Sequence, residues 1–391
     1  MPAVAGKVLT IAVPLSSGRV KPRLAASFGK VLTLKRIVLV LVGLLVLALG
    51  GAWFLRGEIA LRAMARAMDR NLSASPADGL PDGLHVALCG SGSPMPDPTR
   101  AGPCTAVLAG ERLFVFDSGS GSVRNLTLMG MAPANIERIF LTHFHSDHID
   151  GLGELMLQHW AGGGAKAPVP VHGPTGVETV VSGLMTAYGL DRGYRIAHHG
   201  EAVIPPTGFG GEARPFTIGS APVPVTLIDE PDLKIRAFAV DHVPVSPAVG
   251  YIVEYKGRKV VISGDTDITA SVEQAAQNAD LLVHEALSLR LVGLQKAAAE
   301  RAGRANLVKI FADITDYHAD PEAIAALAGR AKVRYLLLTH IVPPLPLRAL
   351  EGPFLGNSRK IFDGPVRVGR DGDMITLPAG SADIRHTNRL R

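Results

Sequence analysis

The pattern of apolar and polar positions divides the chain into an N-terminal stretch and a longer folded region. Residues 1–36 show no sustained amphipathic period, and no structure is expected there. Ile37 to Leu55 then run without a charged side chain, which at helical rise spans about 28 Å, close to a hydrocarbon core of roughly 30 Å. Such a run is a transmembrane anchor or a long signal sequence, with Ala48, Gly50, Gly51 and Ala52 leaving a cleavage site open. No polar stripe supports a core helix. From Glu58 to Leu72, the residues Leu61, Met64, Met68 and Leu72 recur at helical spacing, with Arg62, Arg66 and Arg70 forming a basic stripe. This predicts a juxtamembrane helix on anionic headgroups, or a helix packed on the next domain. Residues 73–83 read as a linker.

The folded domain is expected from Leu84 to about residue 378, with 379–391 as a tail. Val86–Leu88, Cys104–Leu108 and Leu113–Phe116 read as early strands, and Ile136 to Leu141 as a buried one. Leu152–Trp160 and Val177–Tyr188 carry helical patterns, while Pro168–Val171, with two prolines, is placed at a sheet edge. Ile204 to Gly219 is rich in Pro and Gly and reads as a loop. The sequence of events then repeats: strands at Leu233–Val240, Gly250–Tyr255, Lys259–Ser263, Leu281–Val283 and Tyr335–Leu338, and helices at Ser288–Phe311 and Pro321–Ala331. Strands joined by tight turns and then interleaved with helices, twice over, predict an α/β fold of two sheets face to face with helices outside.

Composition changes this picture in two places. The 391 residues, 47% hydrophobic and 5% aromatic, suit a folded α/β protein. Eleven of the 40 basic side chains but only two of the 35 acidic ones precede Ser73, so the formal charge of +5 becomes −4 for the rest. The basic balance belongs to the N-terminal segment. Lys7, Arg19, Lys21, Arg23, Lys30, Lys35 and Arg36 put that segment on the cytoplasmic side and the folded domain outside, periplasmic or extracellular, and secreted if the apolar run is cleaved. Arg56, Arg62, Arg66 and Arg70 on the far side temper this reading. Cys89 and Cys104 are too few for a disulfide framework. They would pair in an exported domain or be small buried residues, and the second reading is preferred.

The chemistry concentrates after the Ile136–Leu141 strand. His143, His145, Asp147 and His148 place three imidazoles and a carboxylate within six residues, a donor set suited to zinc or another first-row divalent ion. A polar turn with surface histidines is the bland alternative, and the density of ligands argues against it. Three more metal-binding side chains arrive just past predicted strands: His242, Asp265 and His340.

In this order the residues resemble the metallo-β-lactamase superfamily, over essentially residues 84–378, with its αββα four-layer sandwich. Asp117, in Phe114–Gly119, matches that superfamily's early aspartate, which supports the ligand loop. Gly90–Pro94, Gly250–Tyr251, Ser263–Thr266, Val283–Ala286, Tyr317–His318 and Leu338–His340 make the chain similar to the ribonuclease Z and zinc-arylsulfatase-like branch. The resemblance implies two Zn2+ ions, or other divalent metals. His143, His145 and His242 would hold one, Asp147, His148 and His340 the other, and Asp265 would bridge. Such a pair lowers the pKa of a shared water and stabilises charge on the attacked centre. Asp147, Glu285 and His318 are the implied catalytic residues, His318 protonating the leaving oxygen and Glu285 orienting it. A helix-capping role for His318 is the structural alternative. The resemblance also leaves a homodimer open.

Substrate is less legible. The ribonuclease Z branch carries an RNA-gripping arm between the His242 region and the Asp265 strand, where this chain has only Glu254–Lys259, a tight hairpin. Together with the net-negative domain and the apolar segment, this favours a small ester (sulfate, phosphodiester, or carboxylic ester including lactone) over nucleic acid. Trp160, Tyr188, Tyr194 and the 204–219 loop are candidate pocket walls. The alternatives are a ribonuclease Z-type phosphodiesterase and a non-catalytic, metal-stabilised scaffold.

Overall fold

The computed structural model describes residues 23–73, 75–219 and 223–390. It divides into two units, residues 1–73 and 74–391. In the first, α1 (Arg23–Phe54) and α2 (Arg56–Ser73) are helical. Residues 23–36, expected to lack structure, belong to α1, and residues 1–22 lie outside the described region. Lys35–Phe54 has a mean hydropathy of 2.7 and is long and apolar enough to cross a membrane, a test that an N-terminal signal sequence also passes.

In the second unit, β1 (Gly83–Gly90), β2 (Cys104–Ala109) and β3 (Arg112–Phe116) form an antiparallel meander. They are followed by α3 (Ser122–Leu128), β4 (Ile136–Phe140), α4 (Ser146–Ile149), α5 (Leu152–Leu157), β5 (Val169–Pro174), α6 (Val177–Ala187), α7 (Gly189–His199) and β6 (Gly211–Phe216). The second half runs β7 (Val225–Asp229), β8 (Leu233–Ala239), β9 (Val249–Tyr255), β10 (Arg258–Ile262), α8 (Ala270–Ala275), β11 (Leu281–Leu287), α9 (Leu289–Arg301), α10 (Ala305–Asp313), α11 (Pro321–Arg330) and β12 (Leu336–Val342). Short helices α12 (Glu351–Leu355) and α13 (Ser358–Ile361) precede β13 (Val366–Val368), β14 (Asp373–Pro378) and β15 (Arg385–Asn388). The sheets are ordered β15-β14-β1-β2-β3-β4-β5-β6 and β13-β12-β11-β10-β9-β8-β7.

Both faces of the central strands are covered, which is why they read as continuous apolar runs. Val86, Leu88, Phe114 and Phe116 of one sheet meet Ile235, Tyr251, Val253 and Val283 of the other in the inner core. Their neighbours point outward. Ala87, Val115 and Ile139 pack under Leu126 of α3, Leu155 of α5 and Val181 of α6. Val261, Leu282 and Leu338 pack under Val272 of α8, Leu291 of α9 and Ile324 of α11. Helix, sheet, sheet and helix layers result, the expected four-layer sandwich.

Several expectations are corrected. The helix over Ser288–Phe311 is two helices, because Gly303 takes a φ of 67°. Arg304 N and Gly303 N then close on Ala299 O and Glu300 O, a Schellman stop. Part of the 204–219 loop is β6, paired in parallel with β5. β5 is therefore interior; its ladder to β4 uses only Val171 and His172, so the missing N–H of Pro170 breaks no bond on that side. The supposed tail contributes β15, which zips onto β14 from Asp373–Asn388 to Thr376–Arg385. Cys89 and Cys104 are bonded to each other across β1 and β2. The hairpin reading of Glu254–Lys259 stands. Lys256 and Gly257 both take positive φ, 44° and 80°, as a two-residue turn between twisted strands requires.

Candidate metal centre

β3 and β4 are parallel, as are β10, β11 and β12. β8 reverses twice, through β9, and so runs with β10. The C-terminal ends of these strands therefore gather at one rim between the sheets, each delivering a polar residue. β3 leads to Asp117, β4 to His143–His148, β8 to His242 and β10 to Asp265, while β11 carries Glu285 and β12 carries His340. The ligand turn needs small neighbours. A side chain on Gly119 would come within 2.3 Å of Asp147 O. Gly264 takes a φ of 62° before Asp265, and a side chain there would reach Val249 O at 2.7 Å. His340 is an extra residue between two paired positions, with Glu285 opposite Thr339 and Ala286 opposite Ile341. This bulge and its φ of 46° re-aim the ring out of the ladder and into the rim.

All seven sequence-predicted ligands converge. His143 Nε2 lies 3.0 Å from His145 Nδ1, and His242 Nε2 lies 3.4 Å from the same atom. Asp265 Oδ2 stands 3.9 Å from His143 Nε2 and 4.0 Å from His242 Nε2. On its other side the same oxygen is 3.2 Å from both His148 Nε2 and His340 Nε2. Asp147 Oδ2 completes that group at 3.6 Å from His148 and 3.3 Å from His340. Donor atoms around a tetrahedral zinc, with bonds of about 2.0–2.1 Å, stand about 3.3 Å apart, so both groups have the spacing a cation needs.

The hydrogen bonds behind the rings fix which nitrogens are free. His148 Nδ1 donates to Asp117 Oδ2 at 2.8 Å, and His242 Nδ1 to the Tyr317 carbonyl at 3.0 Å. Thr142 Oγ1 donates its proton to Asp117 Oδ2, so at 3.0 Å it accepts from His143 Nδ1. With Nδ1 so engaged, each ring turns Nε2 toward the centre, the nitrogen a metal would take. The donor set and its supports fit two divalent cations, with Asp265 common to both.

Electrostatics agrees. Burial holds the His143 and His242 imidazoles below the usual histidine range, and so neutral. Burial would raise Asp265, but the His340 and His148 rings outweigh it and hold that carboxyl well below the usual range. Burial likewise opposes charge on His148 and His340, yet Asp265 and Asp117 push the first well above the usual value, and Asp265 and Asp147 raise the second.

Beside it lies His318, buried at 8% exposure, its Nδ1 3.3 Å from Glu285 Oε1. The pair makes no hydrogen bond, and Glu285 Oε1 instead accepts from Ala319 N at 2.8 Å. Glu285 therefore anchors the segment that carries His318 and sits at its ring nitrogen. The ring stacks on His340 with centroids 5.3 Å apart. Helix α11 is capped by Asp320, whose side chain accepts from Glu322 N, so the capping alternative for His318 fails.

A cavity of about 70 Å³ opens over the centre between Ser93, Pro94 and Met95 on one side and Ile314, Tyr317 and His318 on the other. A larger cleft of about 510 Å³ continues from Asp147 along Pro96–Gly102 to Arg124 and Asp371. The expected pocket walls are elsewhere. Trp160 is fully buried, its Nε1 donating to Pro205 O and its ring against Phe209. Tyr188 packs on Gly153, and Tyr194 is exposed. Asp371, missed in the sequence, ties the 91–101 loop down by accepting from Ser91 N, Ser91 Oγ, Ala101 N and Asn125 Nδ2. Its partners lie some 250–280 residues away in sequence, and no local signal marks it.

Two facing sheets with a seven-ligand rim define a metal-dependent hydrolase. Residues 98–298 match the metallo-β-lactamase superfamily. A ribonuclease Z of Mycobacterium bovis (strain BCG / Pasteur 1173P2) is 38% identical over 290 residues, 74% of this chain and 96% of that protein. One from Mycobacterium avium (strain 104) is 36% identical over 300 residues, 76% of this chain and all of that protein. Among solved structures, human tRNase Z, short form, aligns with a TM-score of 0.54 and 22% identity, covering 75% of this chain and 99% of its own. The metallo-beta-lactamase fold protein YhfI from Bacillus subtilis aligns with the same TM-score and coverage at 19% identity. The chain belongs to the metallo-β-lactamase superfamily, in its ribonuclease Z family.

Proposed function

We propose that this protein is a dinuclear metal phosphodiesterase of the ribonuclease Z type, acting on RNA. The observation that carries the reading is the joint presence of the seven converging ligands and the His318–Glu285 pair in a chain 38% identical to a ribonuclease Z. The sequence-based preference for a small ester (sulfate, phosphodiester or carboxylic) gives way here to its alternative, the ribonuclease Z-type phosphodiesterase. The relatives favour a phosphodiester, and nucleic acid moves from the disfavoured to the favoured partner. The tight Lys256–Gly257 turn still leaves no gripping arm at that position, which supports short or unstructured RNA over a grip on a folded tRNA body.

When bound, a pair of divalent cations activates water and neutralises charge at the attacked phosphorus. The chain's own residues do the rest. His143, His145, Asp147, His148, His242, Asp265 and His340 would hold the pair, with Asp147 facing the cleft as well. His318, at the mouth of the cavity, donates its proton to the leaving ribose oxygen, and Glu285 keeps the ring aimed. Ser93–Met95 and Tyr317 narrow the approach and displace water around the scissile group.

Metal-loaded protein tested on bis-aryl phosphate, synthetic single-stranded RNA, precursor tRNA, aryl sulfate and a lactone separates the readings. The proposal expects turnover of the phosphodiesters, lost on chelation. Turnover confined to aryl sulfate or lactone would overturn it, and inactivity on all five with two metals bound would favour the scaffold.

A further inference from the structure

Where the enzyme works is addressed by two features remote from the metal ligands. The first is α1. Lys35–Phe54 is 20 residues long, about 30 Å at helical rise, the thickness of a hydrocarbon core. Its side chains from Ile37 to Leu55 are exposed on every face of the helix, with no polar side to turn to water; Leu39 is 70% exposed and Leu47 73%. Seven basic and no acidic residues precede Ile37, whereas four basic and two acidic follow Leu55 up to Arg70. That asymmetry places the N-terminal side in the cytoplasm and the hydrolase across the bilayer.

The second feature is the bridge. The chain has only two cysteines, and they are bonded to each other, both buried. Reducing compartments keep such thiols apart, and oxidising ones join them. Their position is functional. Cys89 is the penultimate residue of β1 and Cys104 opens β2, so the bond closes the base of the loop that brings Ser93, Pro94 and Met95 over the metal centre.

We propose that the hydrolase works on the outer side of a membrane, tethered to the lipid bilayer through residues 35–54, and that the Cys89–Cys104 bond, made there, fixes the wall of its site. Bond formation proceeds by exchange with a disulfide-bearing oxidoreductase of that compartment. One S–S bond forms between Cys89 and Cys104, the donor's S–S bond breaks, and the two thiol protons end on the donor's reduced sulfurs. Its substrate is then RNA or nucleotide diester present outside the cytoplasm, not precursor tRNA within it. The location does not depend on the ribonuclease Z-type reading, which supplies only the reaction.

The test uses the full chain with a C-terminal tag in a bacterial host. Expected are a tag that stays with carbonate-washed membranes and is digested by protease added to intact spheroplasts, and cysteines that take up maleimide-polyethylene glycol only after reduction. A protease-protected tag, release of the tag in soluble form, or two reactive thiols without reduction overturns the proposal. None of these readouts uses activity, so they fail or hold separately from the reaction assigned. For the wall, Cys89→Ala with Cys104→Ala, still holding two metals, is expected to raise KM for a phosphodiester several-fold with kcat within about two-fold. An unchanged KM overturns the bridge's role.

Discussion

Asp117 is not among the seven candidate ligands, yet the geometry makes the His148 side of the centre depend on it. Its carboxylate accepts from Thr142 N, Thr142 Oγ1 and His148 Nδ1, each at 2.8 Å. Asp117→Asn tests this without disturbing the backbone, because Asn tolerates the φ of 58° that Asp117 adopts. One amide oxygen can still serve Thr142 N. The NH2 group then faces the His148 Nδ1 proton, donor against donor, and the ring must turn or move its proton to Nε2, the atom that binds metal. Losing such a support costs about 10–100-fold in metal affinity, roughly 1.4–2.7 kcal/mol. The loss should fall on the site of Asp147, His148 and His340, and the site of His143, His145 and His242 should change far less. Competition titration with a chromophoric chelator resolves the two. Equal affinities in variant and parent, or a loss confined to the other site, would refute the assignment of His148 and the support given by Asp117.

Other outcomes follow from the same geometry. His318→Ala should keep both metals and lose about 10²–10⁴-fold in turnover; metal loss by elemental analysis, or unchanged turnover, would refute the proton-donor role. Asp265→Ala should remove at least one metal equivalent together with activity, and two metals at full occupancy would sink the bridging assignment. His148 and His340 have folded pKa values raised above the usual 6.5, so in the metal-free protein their contribution to stability is present below 6.5 and declines as pH rises through the raised values. Metal must displace those protons. Binding at neutral pH should therefore release protons and weaken as pH falls, and calorimetry in buffers of different ionisation enthalpy showing no release would contradict this.

The site was far more legible than its surroundings, for a physical reason. Ligands at strand ends leave a local trace: an apolar β-branched or leucine-rich run followed at once by His or Asp, as at Val240–His242, Val260–Asp265 and Leu336–His340. The sandwich was legible because strands buried on both faces are apolar throughout, as in β11. Edge elements leave no such trace. β15 reads Arg-His-Thr-Asn and is held by its ladder to β14, so its polar sequence resembled a tail. Cys89 and Cys104 meet only because β1 pairs with β2 around an irregularity at Cys89, a register no composition reveals. Trp160 looked like a pocket wall because an aromatic near a site and an aromatic in a core have the same sequence signal. Its indole N–H to Pro205 O decides for the core.

The central claim is that water, activated at the seven-ligand rim, attacks phosphorus while His318 releases the ribose oxygen. Cleavage of a synthetic RNA in 18O-labelled water by protein holding two metals tests it most directly. The account predicts label in the terminal phosphate of one product, a free hydroxyl on the other, and equal cleavage when the 2′-hydroxyl at the scissile position is removed. A 2′,3′-cyclic phosphate without label, or dependence on that hydroxyl, would show that the RNA supplies its own nucleophile and would contradict it.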